Sequence, residues 1–331
     1  MKRGSVIFLL AGFLAVFFCL SFDDEADAQR RAFLAFGGGP TGGTFNYFAN
    51  GMAIYLGRHI PNLEMSSEGS GGSGENLRRL NAGQIDYGIV YSGDAFLGRL
   101  GLLPNDDRKY ENVRSVGYLY GAPAQLVVRA RDEIGSAKDL VGKRIAVGNV
   151  GSGAALSAER FFRHIGIWDD IRPQFLGYSP AASAFRDGNI DAFWVLVGYP
   201  NASVIEAATQ TNINLVNLHK DALETGFYDE YPFYTKVTIP GGTYRGMEQE
   251  VDTFQDSTFW CASAGVDEEI VYQSVKTIYS EAGLQHMRTA HGAAREMSIE
   301  NGIMGASVPL HPGAYRFWKE QGLEIPDDLK P

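Results

Sequence analysis

Cysteine is nearly absent from the 331 residues. Cys19 and Cys261 are the only two, and Cys19 falls in an opening segment that reads as a removable leader. A mature chain with one cysteine closes no intramolecular disulfide, so about 300 residues must hold together by their cores, which is feasible at that length. A basic run is missing as well: 29 Lys and Arg face 39 Asp and Glu, for a net charge of −10. The electrostatic footprint that grips a phosphate backbone is therefore lacking, and nucleic acid is not an expected partner. Enzyme signatures are equally scarce. There is no Gly-x-Ser-x-Gly elbow, no Lys-Ser or Lys-Thr follows a glycine run, and His286 and His291 lie five apart, off a shared helical face. Cys261 sits in the apolar run Phe259-Trp260-Cys261, a poor setting for a thiolate. No catalytic residue, metal or cofactor is expected.

What the chain does have starts at its N-terminus. Lys2 and Arg3 precede an apolar run over residues 6–20, and an acidic stretch then ends in Ala26-Asp27-Ala28. This is the charged, apolar and small-residue order of a secretory signal peptide, expected over residues 1–28 with a periplasmic mature chain. The competing anchor reading needs roughly 20 apolar residues, and a lipid-modified Cys19 would follow a small residue where Phe17 and Phe18 stand.

Downstream, strands and helices alternate as in parallel α/β sheets. Residues 31–36 predict a strand, 37–43 a glycine-rich turn and 45–56 a helix, and similar units recur at 63–80 and 144–164. A quasi-repeat stands out: Gly83-Gln84-Ile85-Asp86 before the apolar run 87–90, and Gly188-Asn189-Ile190-Asp191 before 192–197. Each follows a strand and a short helix, which predicts two related lobes; one common connection used twice is the plainer reading. Asp86 and Asp191 are expected to fix turns. Apolar strands at 125–130 and 259–263 predict two crossings. The first lobe then takes residues 30–123 and 260–331, the second 124–259, with a hinged cleft between them.

Gly37-x-Gly39-x-x-Gly42 and Gly69-x-Gly71-x-x-Gly74 match a dinucleotide fingerprint, but the chain reads as exported, and neither match has the full βαβ unit and ribose-binding acid in clear register, Glu64 being the nearest candidate for the first. What these loops offer is more general. Helix N-termini present unpaired N–H groups and partial positive charge, and glycine lets a ligand approach them. Thr44, Ser70, Ser73 and Ser152 add hydroxyls there, either for a carboxylate or as caps of their own helices. Asp94 follows the strand end Tyr91-Ser92, where it meets a ligand ammonium or caps the next helix.

Gly42-Gly43-Thr44-Phe45, Ser70-Gly71-Gly72-Ser73 with Glu75-Asn76-Leu77, Ile85-Asp86, Gly151-Ser152-Gly153, Val197-Gly198-Tyr199-Pro200 and Pro309-Leu310-His311-Pro312-Gly313-Ala314 occur in that order. Over about residues 33–320 the chain resembles the TAXI family, the solute receptors of tripartite ATP-independent periplasmic (TRAP) transporters. The resemblance implies a two-lobe, type II-like periplasmic binding protein fold and a membrane permease of the TRAP kind as partner. It also implies a small-molecule ligand, glutamate-like or another anionic or zwitterionic carboxylate. Phe45 stands where the family often has Tyr, and Ala154 where it often has Thr. The expected ligand-binding residues are Thr44, Phe45, Ser70, Ser73, Tyr91 and Asp94 from the first lobe, with Gln125, Ser152, Gly153, Tyr178, Gly198 and Tyr199 from the second; Tyr178 and Tyr199 fit lid packing equally. His311 is expected to set a turn. A sensor module docking to a membrane receptor would use the same cleft, and a periplasmic enzyme is the weaker alternative.

Overall fold

Among the described residues, eight strands form two copies of one three-stranded parallel unit joined through two long antiparallel strands, and two further strands pair onto the joining ones. The computed structural model describes residues 31–40 and 43–331; the expected signal peptide lies outside them, as does Gly42. Among the described residues no helix is long and apolar enough to cross a membrane.

The first unit runs β1 (Ala32–Gly37), α1 (Thr44–His59), β2 (Leu63–Glu68), α2 (Ser73–Asn81), β3 (Tyr87–Tyr91) and α3 (Ser92–Leu100). β4 (Val113–Arg129) then leads to the second, β5 (Arg144–Ala146), α4 (Gly153–His164), β6 (Arg172–Gln174), α5 (Tyr178–Arg186) and β7 (Ala192–Leu196). α6 (Ala202–Gln210), β8 (Ile213–Leu215), α7 (Leu218–Thr225), α8 (Phe227–Glu230) and β9 (Thr235–Ile239) follow it. β10 (Val251–Ser263) returns, and α9 (Glu268–Ile278), α10 (Glu281–Ala290) and α11 (Pro312–Glu320) close the chain.

In the first copy β1 lies between β2 and β3, and in the second β5 lies between β6 and β7, all parallel. The Gly-x-Ile-Asp repeat acquires a different meaning from a turn. Asp86 Oδ2 accepts from Ala35 N at 2.8 Å while its own N–H donates to Ala35 O at 3.0 Å. Asp191 does the same with Arg144, at 2.8 Å in both directions. Each aspartate thus satisfies a strand N–H that no ladder partner reaches, pinning the register of two neighbouring strands.

β4 switches partners along its length. It pairs with β10 as far as Pro123 and with β7 from Ala124 onward. α1 illustrates how the sequence builds the layers around this sheet: Phe45, Phe48, Ala49, Met52 and Leu56 recur at helical spacing and are buried. Against the second copy, Phe161 and Trp194 interlock with Phe227, Tyr234 and Phe254 from the elements that follow it, with ring centroids 4.9–5.9 Å apart. At the far end His311 caps α11, its Nδ1 accepting from Gly313 N and its Nε2 bonding Val266 O, and burial pulls its pKa down to about 4.

Candidate functional site

Parallel strands end where their following helices begin, so the C-terminal edges of β1, β2, β5 and β6 deliver four helix N-termini to one place. Gly43, Thr44 and Phe45 at α1, Gly71, Gly72 and Ser73 at α2, Ser152, Gly153 and Ala154 at α4, and Gly177 and Tyr178 at α5 line a single cleft. Pro40, Tyr91, Asn149 and Val197 complete it. No carboxylate, amine, guanidinium or imidazole is among these residues. The cleft has a cavity volume of about 40 Å³ inside an envelope of about 430 Å³ that includes open solvent. One water needs about 10–15 Å³ measured that way.

Glycine is required here by conformation. Gly72, at φ +110°, and Gly151, at φ +70°, turn the chain into α2 and α4 through backbone regions that side chains rarely adopt. The N-termini they create carry free donors. At α4, Ser152 Oγ accepts from Ala155 N at 3.1 Å and Ser152 O accepts from Leu156 N, which leaves the N–H groups of Gly153 and Ala154 without an acceptor among the described residues. At α5, Gly177 O accepts from Ala181 N, and the N–H groups of Tyr178 and Ser179 are left likewise. Such donors, with the aligned peptide dipoles behind them, favour an anion.

Seven of the twelve expected residues line the cleft: Thr44, Phe45, Ser73, Tyr91, Ser152, Gly153 and Tyr178. Their side chains have different tasks. Ser152 caps α4 and its hydroxyl proton has no acceptor among the described residues. Ser73 donates to Asp94 Oδ2 at 2.7 Å and accepts from Tyr91 N at 2.9 Å, so toward the cleft it is an acceptor only. The Tyr91 and Tyr178 hydroxyls both reach the carbonyl of Leu196, and burial raises both phenols, Tyr178 to about 12. Their rings, with Phe45 packed 4.9 Å from Tyr91, form apolar walls.

The other five stand behind the wall. Ser70 donates to Gly38 O and accepts from Gly72 N, holding the loop before α2. Gln125 donates to Val197 O at 3.0 Å and accepts from the Tyr244 hydroxyl at 2.6 Å, fixing the end of β7. Gly198 is buried against Tyr120 and Ala293, and Tyr199 is half-buried beside it. Asp94, 1% exposed, meets neither a cap nor the cleft: it pairs with Arg160 at 3.1 Å. Sequence reasoning passed over Pro40, Asn149 and Gly177. The signal was available for two of them, since Asn149 follows β5 and Gly177 follows β6, both at strand ends.

Comparison with known proteins agrees with this architecture. MatC from Rhodopseudomonas palustris, solved with bound malate, is similar with a TM-score of 0.50 at 14% identity, over 79% of this chain and 88% of that one. A protein from Bordetella bronchiseptica RB50 gives a TM-score of 0.51 at 17% identity, over 90% and 91%. The periplasmic aliphatic sulphonate binding protein SsuA from Escherichia coli gives 0.44 at 18% identity over 80% of each chain. The first two likenesses are of fold, a two-lobe α/β arrangement. Residues 36–322 match the family described as NMT1-like.

Proposed function

The chain belongs to the NMT1-like family, and on that premise we propose that it is a periplasmic solute-binding protein, exported by a signal peptide over residues 1–28, that closes two lobes on a small carboxylate. The lobes are residues 30–123 with 260–331, and residues 124–259. One observation carries this reading: four helix N-termini converge on a cleft that holds no charged side chain. Backbone donors and peptide dipoles compensate a carboxylate there without an ion pair, which suits a protein whose own net charge is negative. The aromatic walls from Phe45, Tyr91 and Tyr178 enclose the apolar part of the solute. The motif order shared with the TAXI family supports delivery to a TRAP-type permease, with glutamate-like amino acids or related organic acids as the ligand class.

A thermal-shift panel tests it, using succinate, malate, 2-oxoglutarate and L-glutamate, each beside its neutral amide. A ligand that binds only the folded form at a hundredfold excess over its Kd stabilises by about 2.7 kcal/mol. At least one carboxylate should raise the melting temperature while its amide does not. Stabilisation by amides alone, or by none of the acids, contradicts the reading.

A further inference from the structure

We propose that the Asp94–Arg160 ion pair is a latch between the two lobes and that Ser73 ties it to the ligand cleft. The proposal rests on the two-lobe binding reading above and goes beyond it, since neither charge lines the cleft. Asp94 belongs to the first turn of α3 and Arg160 to the middle of α4, so the pair joins the two repeat copies. Both are out of water, at 1% and 6% exposure. Two charges are costly to bury unless their geometry is complete, and here it nearly is. Arg160 Nη2 donates to Asp94 Oδ1 at 3.1 Å, its Nη1 donates to the Tyr234 hydroxyl, and the rings of Tyr231, Phe233 and Tyr234 surround the guanidinium at 5.5–5.8 Å.

The same two elements also build the cleft. α4 begins at the Ser152–Gly153 wall and reaches Arg160 two turns later, while Tyr91, immediately before α3, forms the opposite wall. Ser73 is the connection: it faces the cleft, gives its proton to Asp94 and holds Tyr91 N. Parting the lobes carries α4 from α3, which separates the pair, while the Ser73–Asp94 bond stays within the first lobe. Ligand contact at α4 and ion pairing at Arg160 therefore favour the same closed state, and each strengthens the other.

The test reads lobe separation without ligand. Spin labels are placed at Ile54→Cys on α1 and Ile205→Cys on α6, both exposed, with Cys261 buried and left in place, and distances are measured by electron double resonance. Arg160→Met and Asp94→Asn should each move the distribution toward longer distances. The double variant should open no further than either single one, and Arg160→Lys should restore part of the closed population. Should Arg160→Met fail to fold, Asp94→Asn, which preserves shape, carries the same expectation. Folded single variants with the parent's distribution, or a double variant whose opening is the sum of the two, overturn the latch. The parent's response to the carboxylate panel reports separately: a parent that ignores every acid but opens on Asp94→Asn refutes the proposed function and leaves the latch standing.

Discussion

Gly153 lies against the face of Tyr91 so closely that a Cβ at position 153 would stand 2.4 Å from the Tyr91 ring and 2.7 Å from Cβ of Ser73. A second close approach sits beside it, where a Cβ at Gly74 would stand 2.4 Å from the carbonyl of Gly151. The glycines of the α2 and α4 loops thus do more than turn the chain. They let the two walls of the cleft come together backbone to side chain.

Gly153→Ala should therefore oppose closure while each half keeps its own fold. Overpacking costs typically about 1–3 kcal/mol, roughly 5- to 150-fold in affinity if it falls wholly on the closed state. Calorimetric titration with the acid selected by the panel measures it; affinity equal to the parent's means that the walls do not meet in the bound form.

A pH dependence follows from Asp256 on β10. Burial, and next to it the charge of Asp94, raise this carboxyl to about 8, against the opposing pull of Gly93 N–H and Arg160. Its Oδ2 has no hydrogen-bond partner among the described residues, and Asp94, Arg160, Tyr234 and Tyr91 are ionisable groups around it. The folded value lies above the unfolded value of about 3.9. Stability from this group is then present in full below about pH 4 and is lost as pH rises toward about 8. Denaturant titrations between about pH 5 and pH 8.5 should show falling stability in the parent and a flatter profile in Asp256→Asn. Equal slopes would mean that Asp256 is ionised throughout.

The paired aspartates of the repeat make a matched prediction. Removing either leaves a strand N–H unsatisfied, at Ala35 or at Arg144, which costs about 1–3 kcal/mol. The Arg144–Asp191 pair is partly solvent-exposed and adds little. Asp86→Ala and Asp191→Ala should thus destabilise by similar amounts in denaturant unfolding. A loss confined to Asp191→Ala would place its role in the ion pair instead.

Local signals carried the strand–loop–helix units, because turn glycines and apolar spacing are written over a few residues. The repeat was legible for the same reason, although the job of its aspartates was not, since it depends on a neighbouring strand about 50 residues away. The first half of β4 was missed. Gly117, Gly121 and Pro123 punctuate it like a loop, yet Gly117 makes room for the Tyr279 hydroxyl, 2.6 Å from where its Cβ would be, and Gly121 for the Gln255 side chain. Arg160 was equally hidden. Among Glu159, Arg163 and His164 it reads as one more polar helix residue, and its partner lies 66 positions earlier.

The central claim is that backbone donors at helix N-termini hold an anion, and Ser152→Asp tests it most directly. Aspartate caps a helix as well as serine does, so the variant should fold and melt like the parent. Within the cleft its charge would face the ligand carboxylate, and two like charges about 4 Å apart at an effective dielectric of about 20 repel by about 4 kcal/mol. Titration with the carboxylate that stabilises the parent most should show affinity reduced more than about tenfold, a loss of at least about 1.4 kcal/mol; affinity within about twofold of the parent would contradict an anion held at this loop.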